Sequence, residues 1–131
     1  MGKVLLYNVG DTEKRMKIKL CLFRQGLTCV DVPAESFGHP LGYLLGLEGF
    51  APGETGEPFT EEMLIMHGLS GQQFSALLDS LRQQGVPVAL KAVVTDSNVH
   101  WSSSRLHREL AAEHAAMRKK AKSIHHKKGK R

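Results

Sequence analysis

Two stretches of this chain run in step. With residue 4 set over residue 63, VLLYNVGDTEKRMKIKLCLFRQGLTCV lies without gaps over MLIMHGLSGQQFSALLDSLRQQGVPVA. Val4, Leu5 and Leu6 meet Met63, Leu64 and Ile65; Ile18 and Leu22 meet Leu77 and Leu81; Gln25-Gly26 meets Gln84-Gly85. Each stretch reads as a short buried strand, a cap residue (Asp11 or Ser70), an amphipathic helix, a glycine stop and a second strand. Phe74, Leu77, Leu78 and Leu81 give the i, i+3, i+4, i+7 stripe of a helix buried on one side. The pattern is strand-helix-strand twice, about residues 3–33 and 62–94. A right-handed crossover makes each unit parallel, and two such units interleave as one antiparallel sheet with both helices on the same face. The expected fold is therefore α+β and ferredoxin-like, with strands one and three central.

That topology sends Asn8 and the segment Glu35–His39 to one end of the sheet, and His67 and Thr95–Trp101 to the other. Between the units, SFGHPLGYLLGLEGF has Pro40 at a helix start with Leu41, Leu44 and Leu45 on one side, so a short helix packed on the sheet or its edge is expected. APGETGEPFTEE is loop chemistry and reads as mobile; helix and loop together make an insert over 34–61. After Trp101, SSSRLHRELAAEHAAMRKK reads as a long C-terminal helix beginning near residue 99. Its stripe of Leu106, Leu110, Met117 and Ala121 is interrupted at His114.

Charge is unevenly placed. The 131 residues carry a net +5, but RKKAKSIHHKKGKR, residues 118–131, holds eight of the 18 Lys and Arg and no acid. Residues 1–117 thus carry ten bases against 13 acids, a net of −3. The expected organisation is one domain, 1–117, and a disordered basic tail, 118–131. Arg118, Lys119, Lys120, Lys122, Lys127, Lys128, Lys130 and Arg131 would neutralise phosphates without reading sequence, so RNA, DNA or the ribosome is the partner expected for the tail. No apolar run nears the roughly 18 residues of a membrane span, and the N-terminus lacks a signal-peptide core, which places the chain in the cytoplasm. Met1-Gly2 is not followed by the Ser or Thr that myristoylation wants, Leu6 standing there instead. Cys21 and Cys29 read as reduced thiols of the core.

The segment KAVVTDSNVHW, residues 91–101, is the second candidate surface. Thr95, Asp96, Ser97 and Asn98 are what a turn and helix cap require, and Asn98 or Ser97 is expected to cap the terminal helix, with Trp101 plugging the sheet edge. Alternatively Lys91, Thr95, Asn98 and Trp101, joined by His67, line a small pocket for an anionic or planar ligand. His39 and Tyr43, at the opposite end, form a weaker candidate. No metal set or cofactor motif is legible among the seven histidines, and no nucleophile elbow or phosphate loop supports catalysis; Glu109 and Glu113 read as a solvated helix face.

Taken with HPLGYLLGLEGF and the second unit, this segment resembles the bacterial family known as domain of unknown function 3783. Lys91, Ala92, Val93, Thr95, Asn98 and Trp101 stand at that family's K-A-V-x-T-x-x-N-x-x-W positions, and residues 63–117 carry the closest likeness. The resemblance implies no activity. The chain is thus read as a non-enzymatic binding module whose tail contacts nucleic acid. The alternative is a small-molecule sensor using the Lys91–Trp101 corner, with a homodimer through exposed strand edges as a further option.

Overall fold

The computed structural model describes residues 2–129, with side chains described as far as Lys120. Its core begins with two short apolar strands, β1 (Lys3–Tyr7) and β3 (Met63–His67), paired antiparallel with Leu5 opposite Ile65. Beside β1 lies β2 (Thr28–Asp31) and beside β3 lies β4 (Leu90–Val93), each parallel to its neighbour, giving the order β2-β1-β3-β4. The sheet is therefore mixed, not the expected antiparallel ferredoxin-like one. Each strand-helix-strand unit closes its crossover onto the adjacent strand, leaving no gap for the other unit to enter. Strands one and three are still central, and the two units still run in opposite directions.

The units start and stop as their caps dictate. Helix α1 (Thr12–Arg24) is capped by the Asp11 carboxylate accepting from Lys14 N–H, and α3 (Gly71–Gln83) by a reciprocal box between Ser70 and Gln73. Both helices end on a glycine with φ of 69°, Gly26 and Gly85, a left-handed position where a side chain would be strained. Ile18, Cys21 and Leu22 of α1 and Leu77 and Leu81 of α3 pack on Val4, Leu6, Leu64 and Met66, so both helices cover one face. Cys21 is buried, Cys29 half-buried, and both are free thiols.

Alternation sends Leu5, Tyr7, Met63, Ile65 and Leu90 to the other face, which needs its own cover. The insert and the terminal helix supply it. Phe37, Leu41 and Leu45, around the four-residue α2 (Leu41–Leu44), cross that face, and Leu106 of α4 (Ser103–Gly129) closes it with Leu110 at the margin. The layers are thus helix, sheet and helix. On α4 the expected apolar stripe packs at Leu106 and Leu110, Met117 is 71% exposed, and the side chain of Ala121 lies outside the described residues. α4 continues in helical conformation to Gly129, past the residue-117 boundary read from the sequence.

The loop expected to be mobile is instead stitched to the domain. Asn8, at a left-handed φ of 61°, donates through Nδ2 to the carbonyls of Phe59 and Glu61; Ser104 Oγ donates to Glu57 O; Gly53 N–H donates to His39 Nδ1. The backbone of 53–56 lies so close to Gly38 that a Cβ there would stand 1.6 Å from Glu54 O, and one on Gly56 would stand 2.7 Å from Gly38 N. Glycine is required by backbone contact at both positions. Gly38→Ala should therefore cost about 3 kcal/mol of unfolding free energy, an overpacking penalty with no flexible atom to yield. Urea denaturation checks this, with the solvent-exposed Gly71→Ala, whose Cβ meets nothing within 4 Å, as the near-neutral control.

Candidate functional site

The 91–101 segment is a hydrogen-bonded turn. Thr95 N–H donates to Asn98 Oδ1, Asn98 N–H donates to Thr95 Oγ1, and Asn98 Nδ2 donates to Val93 O at 3.1 Å. Asn98 is 8% exposed and fully engaged. It closes the 3-10 turn Asn98–His100 and does not cap the terminal helix; nor does Ser97. That cap is Ser102, whose Oγ accepts from Arg105 N–H at 3.1 Å. A cap must immediately precede its helix, and α4 starts at Ser103, after Trp101 has carried the chain onto the second face.

Lys91 and Trp101, joined in the sequence reading, stand on opposite faces of the sheet. Lys91 pairs in register with Leu64, whose side chain belongs to the α1/α3 face; Lys91 Nζ donates to Val88 O, and the lysine lines a cavity of about 210 Å³ with Leu78, Arg82 and Pro87. Trp101 packs with the second-face cluster beside Ala92 and Val94, under the Arg105 guanidinium 4.2 Å above its ring. His67 sits opposite Lys3 at the end of β3, where Lys3 Nζ donates to Leu45 O. Of the five residues, the structure brings Thr95 and Asn98 together.

His39 and Tyr43 do lie together, their rings 4.9 Å apart, but not at the far end of the sheet. The insert crosses the second face and returns: Pro40 bridges Ser102, Leu41 N–H donates to Trp101 O, and Phe50 packs on His100 with ring centroids 5.2 Å apart. The two candidate regions are therefore neighbours, tied through backbone. His39 Nδ1 accepts from Gly53 N–H, so a neutral ring carries its proton on Nε2.

Two arrangements were not read from the sequence. In the first, Tyr7, Phe37, Phe59 and His107 form an aromatic stack, with 4.3 Å between Phe37 and Phe59 and 4.0 Å between Phe59 and His107. Its ends are polar: Tyr7 Oη meets Ser103 Oγ at 2.7 Å, and His107 Nε2 meets Glu61 Oε1 at 2.9 Å. Burial drives the Tyr7 phenol far above its ordinary value against the opposing Ser103 bond. The only sequence signal was Phe59, an aromatic inside a Gly/Pro-rich loop. In the second, a crevice of about 630 Å³ opens outside the carboxyl ends of β1 and β2, lined by Asn8, Val9, Gly10, Arg15, Asp31 and Pro33 among others. Of its lining residues Arg15 and Asp31 carry charge, paired at 2.9 Å, and Lys19 bonds the same Asp31 carboxylate at 2.7 Å.

The basic candidates divide by what is described. Arg118, Lys119 and Lys120 are exposed on α4. The side chains of Lys122, Lys127 and Lys128, and all of Lys130 and Arg131, lie outside the described residues. Among the described residues no three His, Cys, Asp or Glu side chains converge as a metal set, and no helix is long and apolar enough to cross a membrane.

Two substitutions separate a structural turn from a ligand site. Asn98→Ala removes the two hydrogen bonds made by a buried side-chain amide and should cost about 2–3 kcal/mol in chemical denaturation, while Lys91→Ala should change stability by less than about 1 kcal/mol. Asp31 supplies a pH test. Burial pushes its carboxyl up, but the Lys19 and Arg15 bonds outweigh it and the net shift is below the ordinary 3.8. A depressed folded value means the stabilisation is present above about pH 4 and is lost as the pH falls through the folded pKa. Asp31→Asn should flatten the acid limb of the stability curve by a small amount, since the pair is over a third exposed.

Residues 62–117, which span β3 through the first half of α4, match the family model described as Domain of unknown function (DUF3783). No curated protein and no solved structure matches the chain.

Proposed function

We propose that this chain, whose residues 62–117 belong to that family of unknown function, is a non-enzymatic binding module that attaches to nucleic acid, free or within the ribosome, through the basic end of α4. The observation that carries the reading is the way α4 outlives its packing. Leu106 and Leu110 hold it to the sheet, Met117 is already exposed, and the helix continues into Arg118, Lys119 and Lys120. Arg118, Lys119 and Lys120 are exposed on it, and the sequence 118–131 carries eight bases and no acid. It is a polycation beside a domain of net −3, arranged so that phosphates meet the arm rather than the body.

The rival reading, a small-molecule sensor on the Lys91–Trp101 corner, has less support. The sheet's alternation separates its cation from its aromatic wall, and the amide between them is spent on the turn.

The test is fluorescence anisotropy with labelled single-stranded RNA and duplex DNA, comparing the full chain with a variant in which the eight tail bases are glutamine. The full chain should bind both with little sequence preference. Its log affinity should fall against log salt with a slope approaching about −7 on duplex DNA, eight contacts at about 0.9 each. The glutamine variant should lose at least a hundredfold at low salt. Equal affinity of the two proteins would remove the tail from the function.

A further inference from the structure

The outer side of α1 carries an apolar seam that nothing in the domain covers. Met16, Leu20 and Phe23 are 67%, 45% and 78% exposed. At 100° per residue they fall within about 60° of one another, pointing away from the sheet that Ile18 and Leu22 face. They border a shallow depression of about 810 Å³ together with Glu13, Lys17 and Lys19. The spacing of 16, 20 and 23 is the alternating four and three of a coiled-coil seam, with Glu13 one step before it, and its narrowness separates it from the broad apolar face of a helix that lies in a membrane.

The flanks of the seam select its partner. Lys17 and Arg24 occupy the e positions on one side and Lys19 a g position on the other. Lys19 also bonds Asp31 and Lys17 lies 3.2 Å from Glu13, exposed pairs that a stronger acidic partner can recruit. Two copies of α1 packed antiparallel would set Lys17 against Arg24 and Lys19 against Lys19; packed parallel they would set Lys19 against Arg24. Like charges meet either way, so self-association through this seam is disfavoured.

We infer that the Met16–Leu20–Phe23 seam of α1 docks an amphipathic helix of another protein, one with apolar residues at a and d and acidic residues at e and g. Because α1 and α4 cover opposite faces of the sheet, this surface is separate from the basic tail and does not depend on the tail's role.

The probe is a synthetic helix of roughly three heptads with Leu at a and d and Glu at e and g, and a counterpart with Lys at e and g. Each is labelled and titrated by anisotropy with the full chain at physiological salt. The tail attracts any acidic peptide, so the baseline is the Leu20→Ser, Phe23→Ser variant with its tail intact. The native chain should bind the Glu peptide at least tenfold tighter than that variant does, and at least tenfold tighter than it binds the Lys peptide. Lys17→Glu with Arg24→Glu, which leaves the apolar seam in place, should reverse the peptide preference. Three results would each overturn the inference: equal binding by native and seam variants, a concentration-dependent dimer in sedimentation that Leu20→Ser abolishes, or seam-dependent sedimentation with phosphatidylserine vesicles without any peptide preference.

Discussion

The antiparallel pairing of β1 with β3 is the constraint on which the rest of the structure rests. Val4 to Tyr7 and Met63 to Met66 are each no more than 3% exposed, so both central strands are buried on both faces. A strand buried twice obliges the chain to find two layers of cover. The two crossover helices supply one. The other falls to segments outside the strand-helix-strand units, which is why the insert over 34–61 and a terminal helix are part of the core rather than ornament. Tyr7 ties the layers together: its ring is fully buried and its hydroxyl is satisfied by Ser103, the first residue of α4, ninety-six positions away.

The second layer is held as much by backbone as by side chains. Gly38 against the 53–56 loop, Pro40 bridging Ser102, and Leu41 bonding Trp101 O are main-chain approaches that admit no Cβ or need none. The Thr95–Asn98 turn belongs to this scheme. It carries the chain off β4 at the angle that lets Ser102 cap α4 and lets Trp101 meet α2. Asn98 also occupies Val93 O, while Val94 donates inward to Met66 O, so one outer edge of the sheet is blunted; the Arg15, Lys19 and Asp31 cluster stands beside the other.

Much of this was legible in the residues. The caps at Asp11 and Ser70, the stops at Gly26 and Gly85 and the helix stripe Phe74 to Leu81 follow from local chemistry; the central place of β1 and β3 was read from the interleaved topology and holds in the mixed sheet as well. What failed were relations between segments. Local pattern fits a crossover onto an adjacent strand as well as one that leaves a gap, so it could not separate the mixed sheet from the interleaved one. Yet the runs VLLY and MLIM, apolar at consecutive positions, do not alternate as strands covered on one face alone would, and they point to two-sided burial. The same period-two rule, applied to Lys91, Ala92 and Val93, would have parted Lys91 from the tryptophan's face. Close backbone contacts leave no such trace: Gly38, Gly53 and Gly56 look like loop composition until the strand of loop beside them is in place.

Electrostatics divides the molecule in a way the net charge conceals. Residues 1–117 are acidic overall, yet α1 holds five bases and one acid, and 118–131 holds eight bases and none. On α1, Lys14, Arg15 and Lys19 are consumed by Glu62 and Asp31, which fasten the helix to the neighbouring strand ends. Of these Lys19 borders the outward seam, beside Lys17. An apolar seam with basic flanks on one face and a basic helix leaving the other differ in chemistry, apolar and geometrically selective in one case, long-range and salt-sensitive in the other. Because the sheet stands between them, a flat partner could engage one or the other but not both.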